Sequence, residues 1–461
     1  LTPTQPLPDQ DAPRPNPRQI AFLALKAVHL GAYADVALER ALQPGTLDGR
    51  DRRLVTELVY GSVRRQRTLD ALVDQLARKP AKSQPPALRT ILHLGLYQLG
   101  FLTQVPAAAA VNTTVELAKA NGFQGLARFV NGILRQYSRL AKGRSPTAIL
   151  DLPEDPAPRL GICHSYPDWI VQVWAEQIGW SETEQLCLWF NQAPAIDLRV
   201  NPRQASWDQV AAALGTAGIA TSPVAGVPQA LRLQDRPGSI QALPGFAEGW
   251  WMVQDSSAQL VSQVLNPQPG ETIIDACAAP GGKVLHIAEL MQDQGTLWAC
   301  DRSVARLRKL RQNAKRLRVH SIQTWVGDSR DAPQFQQQAD RVLVDAPCSG
   351  LGTLHRHADA RWRQSPTTMA ELAQLQGELC DQAATWVKPG GTLVYATCTL
   401  DPQENAAVVQ EFVARHPDWQ VVPPDLPVPL AACLTPEGWL QVWPHRHGMD
   451  GFFVACLQHQ V

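Results

Sequence analysis

Apolar residues return every three or four positions along Arg18–Leu42, RQIAFLALKAVHLGAYADVALERAL, the spacing of one helix face. The pattern repeats in Asp51–Ala77, where Asp51 stands as a candidate N-cap. It continues in ALRTILHLGLYQLGFL (Ala87–Leu102), AAAAVNTTVELAKANG (Ala107–Gly122) and FQGLARFVNGILRQYSRLA (Phe123–Ala141). No stretch up to Leu140 alternates as a half-buried strand would, so a small helical bundle with arginines on its outer faces is expected. Gly143–Leu160, GRSPTAILDLPEDPAPRL, is rich in Pro and Asp and reads as a linker. Two helical runs follow in PDWIVQVWAEQIGWSETEQLCLWFNQ. After them come a strand IDLRVN, a helix WDQVAAALGTAGI and a strand QALRLQ, a mixed α+β segment running to about Gly249.

From about Glu271 the rhythm changes. ETIIDA, GTLWACD, SIQTWVGD, DRVLVDAP, GTLVYATC and GFFVACL are short β-rich runs separated by amphipathic helices. That alternation predicts a mostly parallel sheet with helices on both faces. The expected organisation is a proline-rich disordered tail over 1–16, a helical domain over 17–145 and a linker over 146–160. An α+β subdomain over 161–250 and an α/β Rossmann-like domain over 251–461 complete it.

Composition narrows the class. Hydrophobic residues are 45% and charged residues 18% of 461, a globular profile. No apolar run approaches a membrane span, and the N-terminal LTPTQPLPDQDAPRPNP lacks the apolar core of a secretory signal. Nine cysteines without a CxxC pair argue for reduced thiols in the cytoplasm and against a disulfide framework or a zinc site, and no metal is expected. Net charge is zero, yet Leu1–Ser145 holds 20 Lys and Arg against 10 Asp and Glu, while the rest holds 22 against 32. A basic segment on an acidic body suits a polyanionic partner, although a solvated basic helix surface has the same composition.

In parallel sheets ligands bind beyond the carboxyl ends of the strands. The first such end, Asp275, runs into CAAPGGKVLHIAEL, a small-residue loop opening a helix. A phosphate-binding loop would need Gly at Cys277 and Ser or Thr at Val284, and GxGxxG is absent, so ATP and dinucleotides are disfavoured. Asp301 ends the second strand, placed to accept ribose hydroxyls. Asp328 lies at the third end, within reach of an adenine amino group, and Asp345 and Cys348 lie at the fourth. Taken singly, each acid reads as a cap or turn residue; together at successive strand ends they form an acidic rim without phosphate-binding features, which suits the cationic S-adenosylmethionine. Cys398 ends the next strand. A lone buried cysteine is usually core filling, but two thiols beside a methyl-donor pocket fit methylation of pyrimidine carbon-5. That chemistry needs thiolate addition at carbon-6, an acid against ring N3 and the exocyclic amine, for which Asp345 is the candidate, and a base removed from its stack. The residues alone do not choose between the two thiols.

DACAAPGGK, DAPCSG, YATCTLDPQEN and DGFFVACL together resemble the Fmu/Sun/RsmB family of bacterial ribosomal RNA cytosine-C5 methyltransferases. GAYADVAL, DRRLVTELVYGSVRR, LGLYQLGFL, VPAAAAVNTTVELAK and FVNGILR resemble its NusB-type RNA-binding domain, and IDLRVN and VQDSSAQLV the segments leading into its catalytic domain. The resemblance covers nearly the whole chain. It implies a class I methyltransferase domain in which Cys277, Ala278, Ala279, Pro280, Gly281, Gly282 and Lys283 line the S-adenosylmethionine site. Asp301 would meet the ribose, Asp328 the adenine, and Asp345 both cofactor and cytosine. It also implies Cys398 as nucleophile and Cys348 as the residue assisting release of the product. The implied partner is 16S rRNA or a small-subunit assembly intermediate; neither DNA nor membrane is expected, and the lack of an obvious coiled coil or swapped strand makes a monomer the default expectation. Ala358 and Val284 depart from the family pattern and are expected to alter a loop over the RNA. Glu404 and Asn405 either orient the nucleophile's loop or start a helix. A non-catalytic RNA-binding factor and a transfer-RNA methyltransferase are the alternative readings.

Overall fold

The computed structural model describes residues 16–42, 47–235 and 237–460. The tail expected over 1–16 therefore lies outside the described residues, except for Asn16. That residue caps the first helix, its side-chain oxygen accepting from Arg18 N. The chain forms two compact units. One runs to Gln172 and includes the later segment His357–Trp362; the other holds Val173–Arg356 and Arg363–Val461.

The first unit is helical, as its periodicity requires. The run expected over 18–42 is two helices, Pro17–His29 and Ala34–Ala41, parted where Gly31 takes φ 103°. The run over 51–77 likewise divides at Arg65 into Gly49–Arg64 and Gln66–Leu76. Its cap is Asp48, not Asp51: the Asp48 side chain accepts from Asp51 N. Pro86–Phe101 is the central helix, with every residue from Thr90 to Gln98 buried. At Gly95 a Cβ would stand 2.8 Å from Leu134 and 2.9 Å from Thr114, so only glycine lets helices Ala107–Ala120 and Ala127–Ala141 close on it. The stretch read as a linker holds the 3₁₀ turn Pro146–Ile149 and the first residues of helix Pro156–His164, capped by Asp155.

The second unit holds two sheets. β1 (Ile196–Val200), β2 (Thr221–Val224), β3 (Val227–Leu233) and β4 (Trp251–Val253) form an antiparallel sheet in the order β2-β3-β1-β4. The boundary expected at 250/251 falls ahead of a strand of this sheet, since Val200 of β1 pairs with Trp251. β1 was expected, and its Arg199 is wholly buried against Glu289 (2.7 and 2.8 Å) and Gly282 O (2.6 Å).

The larger sheet contains β5 (Thr272–Asp275), β6 (Thr296–Asp301), β7 (Ile322–Val326), β8 (Ala339–Asp345), β9 (Val387–Thr397), β10 (Trp419–Val421), β11 (Leu440–Val442) and β12 (Phe452–His459). The order is β10-β12-β9-β8-β5-β6-β7, with β11 on β12. β5 to β9 are parallel; β12, expected as the last strand, runs antiparallel to β9 and carries β10 and β11 antiparallel to itself. Strand order reverses beside β5, whose neighbours are β6 and β8. That reversal opens a crevice at the carboxyl ends of β5 and β8. No helix among the described residues is long and apolar enough to cross a membrane.

Candidate active site

The parallel strands bring Asp275, Asp301, Asp345 and Cys398 to one edge of the sheet. Cys277–Lys283 leaves β5 and turns through Gly281, at φ 112°, into helix Gly282–Leu290. A Cβ on Gly281 would meet Leu310 at 2.9 Å. The small residues thus keep this loop close to helix Val304–Leu317. Ala278 N donates to Cys300 O (2.8 Å), and Arg306 holds Ala279 O from the far side.

Each of three rim acids uses one oxygen locally. Asp275 accepts from Cys277 N (3.2 Å), Asp301 from Ser303 N (2.7 Å) and Asp328 from Arg330 N (3.1 Å), a turn contact two residues on in every case. Their second oxygens differ. Asp275 is buried and its Oδ2 has no hydrogen-bond partner among the described residues. Burial, and then the Asp345 carboxylate, push its pKa up to about 8. Asp301 Oδ2 lies 3.2 Å from Arg306. Asp328, whose neighbour Gly327 donates to Asp301 O (3.3 Å), lines an exposed groove with Asp331, Glu378 and Asp381. The Arg330 fork across its carboxylate holds it down at about 2. Asp345 Oδ2 takes Lys283 Nζ at 2.7 Å, and the ammonium lies 4.7 Å from the Phe452 ring. Burial pulls Lys283 down, but Asp345 outweighs it and the net shift is upward. The donor set fits S-adenosylmethionine. An unpartnered buried carboxylate oxygen and further acids face a glycine turn, with no phosphate cradle beside them.

Cys348 Sγ and Cys398 Sγ are 3.3 Å apart. The contact with Cys398, and then burial, push Cys348 well up, which keeps it a neutral thiol. Cys277 is also raised, first by burial and then by Asp275 and Asp345. Hydrogen bonds tie the segments bearing the pair. Gly352 N donates to Cys398 O (2.9 Å), Ser349 Oγ meets Thr399 Oγ1 (2.7 Å), and Ser349 N donates to Glu404 Oε2 (2.9 Å). Gly352 has no room for a side chain: a Cβ there would lie 2.1 Å from Gly451 O and 2.7 Å from Cys398 O.

Comparison with known proteins then decides the family. A "16S rRNA methyltransferase RsmB/F" model matches residues 262–458. The NusB family matches 15–139, and a ferredoxin-like domain of RsmF/B-like methyltransferases matches 166–241. A probable ribosomal RNA small subunit methyltransferase B of a Synechocystis species is 52% identical over 96% of this chain and 99% of its own length. The Vibrio cholerae ribosomal RNA small subunit methyltransferase B is 38% identical over 96% and 98%. The chain belongs to the RsmB family of 16S rRNA methyltransferases. The crystal structure of PH0851 agrees over the whole fold, with a TM-score of 0.78 at 28% identity, covering 96% of this chain and 98% of that one. The family supplies the class of the enzyme: an S-adenosylmethionine-dependent rRNA methyltransferase acting on 16S rRNA. The expected three-part fold is borne out: NusB-type helices, a ferredoxin-like middle and a C-terminal methyltransferase sheet.

Within this RsmB-family chain the two departures are both buried. Val284 is fully buried in the core beneath helix Gly282–Leu290. Ala358 is fully buried in the hydrophobic core of the helical unit, to which His357–Trp362 belongs. Neither side chain lines an exposed loop. Asn405 precedes helix Ala406–Arg415 but makes no side-chain cap; it accepts from Thr397 Oγ1 and donates to Thr399 O (3.1 Å). These bonds tie Asn405 to the residues on either side of Cys398. Arg199 and Arg306, which hold carbonyls of the Ala279–Gly282 loop, were not anticipated. Arg306 had a local signal, five residues past Asp301; Arg199 had none.

Proposed function

We propose that this enzyme methylates carbon-5 of a cytosine in 16S rRNA through a covalent adduct, with Cys398 as nucleophile. The observation that carries this reading is the 3.3 Å approach of two thiols beside the Lys283–Asp345 pair. Cys398 adds to carbon-6 of the flipped base, which makes carbon-5 nucleophilic. Lys283 holds one oxygen of Asp345, and the carboxylate accepts from the exocyclic amine; the proton that the Cys398 thiol gives up on addition goes to ring N3, whose N–H then also donates to the carboxylate. In the elimination that frees the RNA the carbon-5 proton passes to solvent and the carbon-6–sulfur bond breaks; Cys348, a neutral thiol against the Cys398 sulfur, assists by donating its S–H to the departing sulfur. Bound S-adenosylmethionine supplies the electrophilic methyl group. Cys277–Lys283 lines its site, Asp345 brings negative charge toward the sulfonium, and Asp301 accepts from the ribose. Asp328 is the weakest member of the proposed set, because Arg330 takes both of its oxygens. The substrate is 16S rRNA, either bare or within a small-subunit assembly intermediate.

The test is a pair of substitutions assayed with radiolabelled S-adenosylmethionine on 16S rRNA. Cys398→Ala should abolish transfer and leave cofactor binding intact. Cys348→Ala should accumulate covalent protein–RNA complexes that survive denaturing electrophoresis. Turnover by Cys398→Ala, with Cys348→Ala inactive and untrapped, would reverse the two roles.

A further inference from the structure

Glu404 lies six residues past Cys398 and is wholly buried. Its carboxyl does not face the cysteine nearest in sequence. Oε2 accepts from Ser349 N and from Gln376 Nε2, each at 2.9 Å, and Oε1 accepts from Ser349 Oγ. Ser349 is the residue directly after Cys348. Gln376 Nε2 also donates to Pro347 O (3.0 Å), directly before Cys348. The backbone carbonyl of Glu404 in turn accepts from Tyr395 OH on β9, the strand that delivers Cys398. Both neighbours of Cys348 are thus held by one buried cluster anchored to the Cys398 strand.

We infer that Glu404 is a positioning residue that fixes the Cys348 thiol against Cys398 and so governs release of the methylated RNA. The inference rests on the roles given to the two thiols above. A buried carboxyl taking two donors from the Cys348 loop and a third from Gln376 on helix Pro366–Ala384 restrains that loop more tightly than neutral contacts do, because charge-assisted hydrogen bonds are the stronger class. Burial pushes Glu404 up on balance, and its hydrogen bonds from Ser349 and Gln376 oppose that rise in part. Without it, Ser349 N loses its acceptor, Gln376 keeps only Pro347 O, and the Cys348 segment is freer to move away from the sulfur it faces. Addition at Cys398 does not use that segment, so adduct formation should continue while release slows. A role confined to stability would instead lower every step together.

The experiment compares Glu404→Ala, Glu404→Gln, Ser349→Ala and Cys348→Ala in the full chain. It uses 16S rRNA that the unaltered enzyme methylates, with labelled S-adenosylmethionine. Readouts are turnover, covalent complex on denaturing gels and cofactor affinity by titration. Glu404→Ala should lose about ten-fold in turnover, accumulate covalent complex as Cys348→Ala does, and bind cofactor as before. Glu404→Gln should restore most of the turnover. Its amide oxygen accepts from Ser349 N and Gln376, and its NH₂ donates to Ser349 Oγ, which passes its own proton to Thr399. Ser349→Ala keeps the backbone donor and should trap complex to a smaller extent, which serves if Glu404→Ala does not fold. Parallel loss of adduct and turnover, or a Gln variant no better than Ala, overturns the inference. Trapping by Cys348→Ala without trapping by Glu404→Ala or Ser349→Ala overturns it while sparing the thiol roles. Absence of trapping by Cys348→Ala removes those roles and the inference with them.

Discussion

Asp275 at the end of β5 and Asp328 just past β7, with β6 between them, are carboxylates with opposite electrostatics. Asp328 is forked by Arg330 and stays ionised to about pH 2, whereas Asp275 is buried beside Asp345 and is pushed up to about 8. The unfolded chain ionises Asp275 near pH 4. Between that value and about 8 the folded state keeps a proton that the unfolded state has released. Stability must therefore fall as pH rises through this window. Asp275→Asn removes the titration while keeping the acceptor for Cys277 N. Without cofactor, the difference in unfolding free energy between variant and parent should grow from pH 5 to pH 8. It should favour the variant by on the order of a few kcal/mol at the upper end. Urea midpoints across that range measure it, and a difference independent of pH would place the Asp275 proton elsewhere. The acidic field at the crevice costs stability in the free enzyme, and a bound sulfonium would lower that cost.

At the scale of elements, Arg199 links β1 of the small sheet to the helix that follows the Cys277–Lys283 loop. It is 0% exposed, as is Glu289. Arg199→Ala leaves the Glu289 carboxylate buried without its partner and Gly282 O without its donor, a change that typically costs roughly 3–5 kcal/mol. Chemical denaturation should show that loss, and replacement of both residues by apolar ones of similar volume should recover much of it. A loss below about 1 kcal/mol for Arg199→Ala would mean that water replaces the arginine. Such long-range pairings set the limit of what is readable in the chain. The parallel strands were legible because their apolar runs are long, so the strand-end residues Asp275, Asp301, Asp345 and Cys398 were legible with them. β4, β10 and β11 have three residues each, too few to show alternation, and β2 carries Pro223; their partners, remote in sequence, define them. The helix break at Arg65 leaves the apolar period nearly in step on both sides and so was hidden. Glu404 could be read as a loop or helix-start residue, but its partner Ser349 lies 55 residues away. Only the packing of β9 against β8 brings the two together.

For the whole molecule, a net charge of zero is made of two unlike parts, and charge alone does not say which basic residues meet RNA. Helix Val304–Leu317 of the catalytic unit is strongly basic, yet several of its arginines serve the fold. Arg306 holds Ala279 O, Arg311 meets Thr324 Oγ1, and Arg316 donates to Phe246 O and Trp251 O. In the helical unit, Ala127–Ala141 contains no acidic residue, and Arg128, Arg135 and Arg139 are all exposed. Spacings of seven and four residues put these three on one helix face. Such a stripe matches the phosphate backbone of a nucleic acid, and each neutralised phosphate releases condensed counterions. Replacing all three by Gln should weaken 16S rRNA binding. It should also flatten the dependence of log affinity on log salt by about 0.7 to 0.9 for each phosphate no longer neutralised, or roughly two units in all. Cofactor affinity should stay the same, because the substitutions lie in the other unit. Filter binding between 50 and 200 mM salt, on the order of the range where such slopes are measured, gives the answer. An unchanged slope would leave the stripe as a solvated face and move the electrostatic grip on rRNA to other basic residues, Arg308 and Lys309 among them.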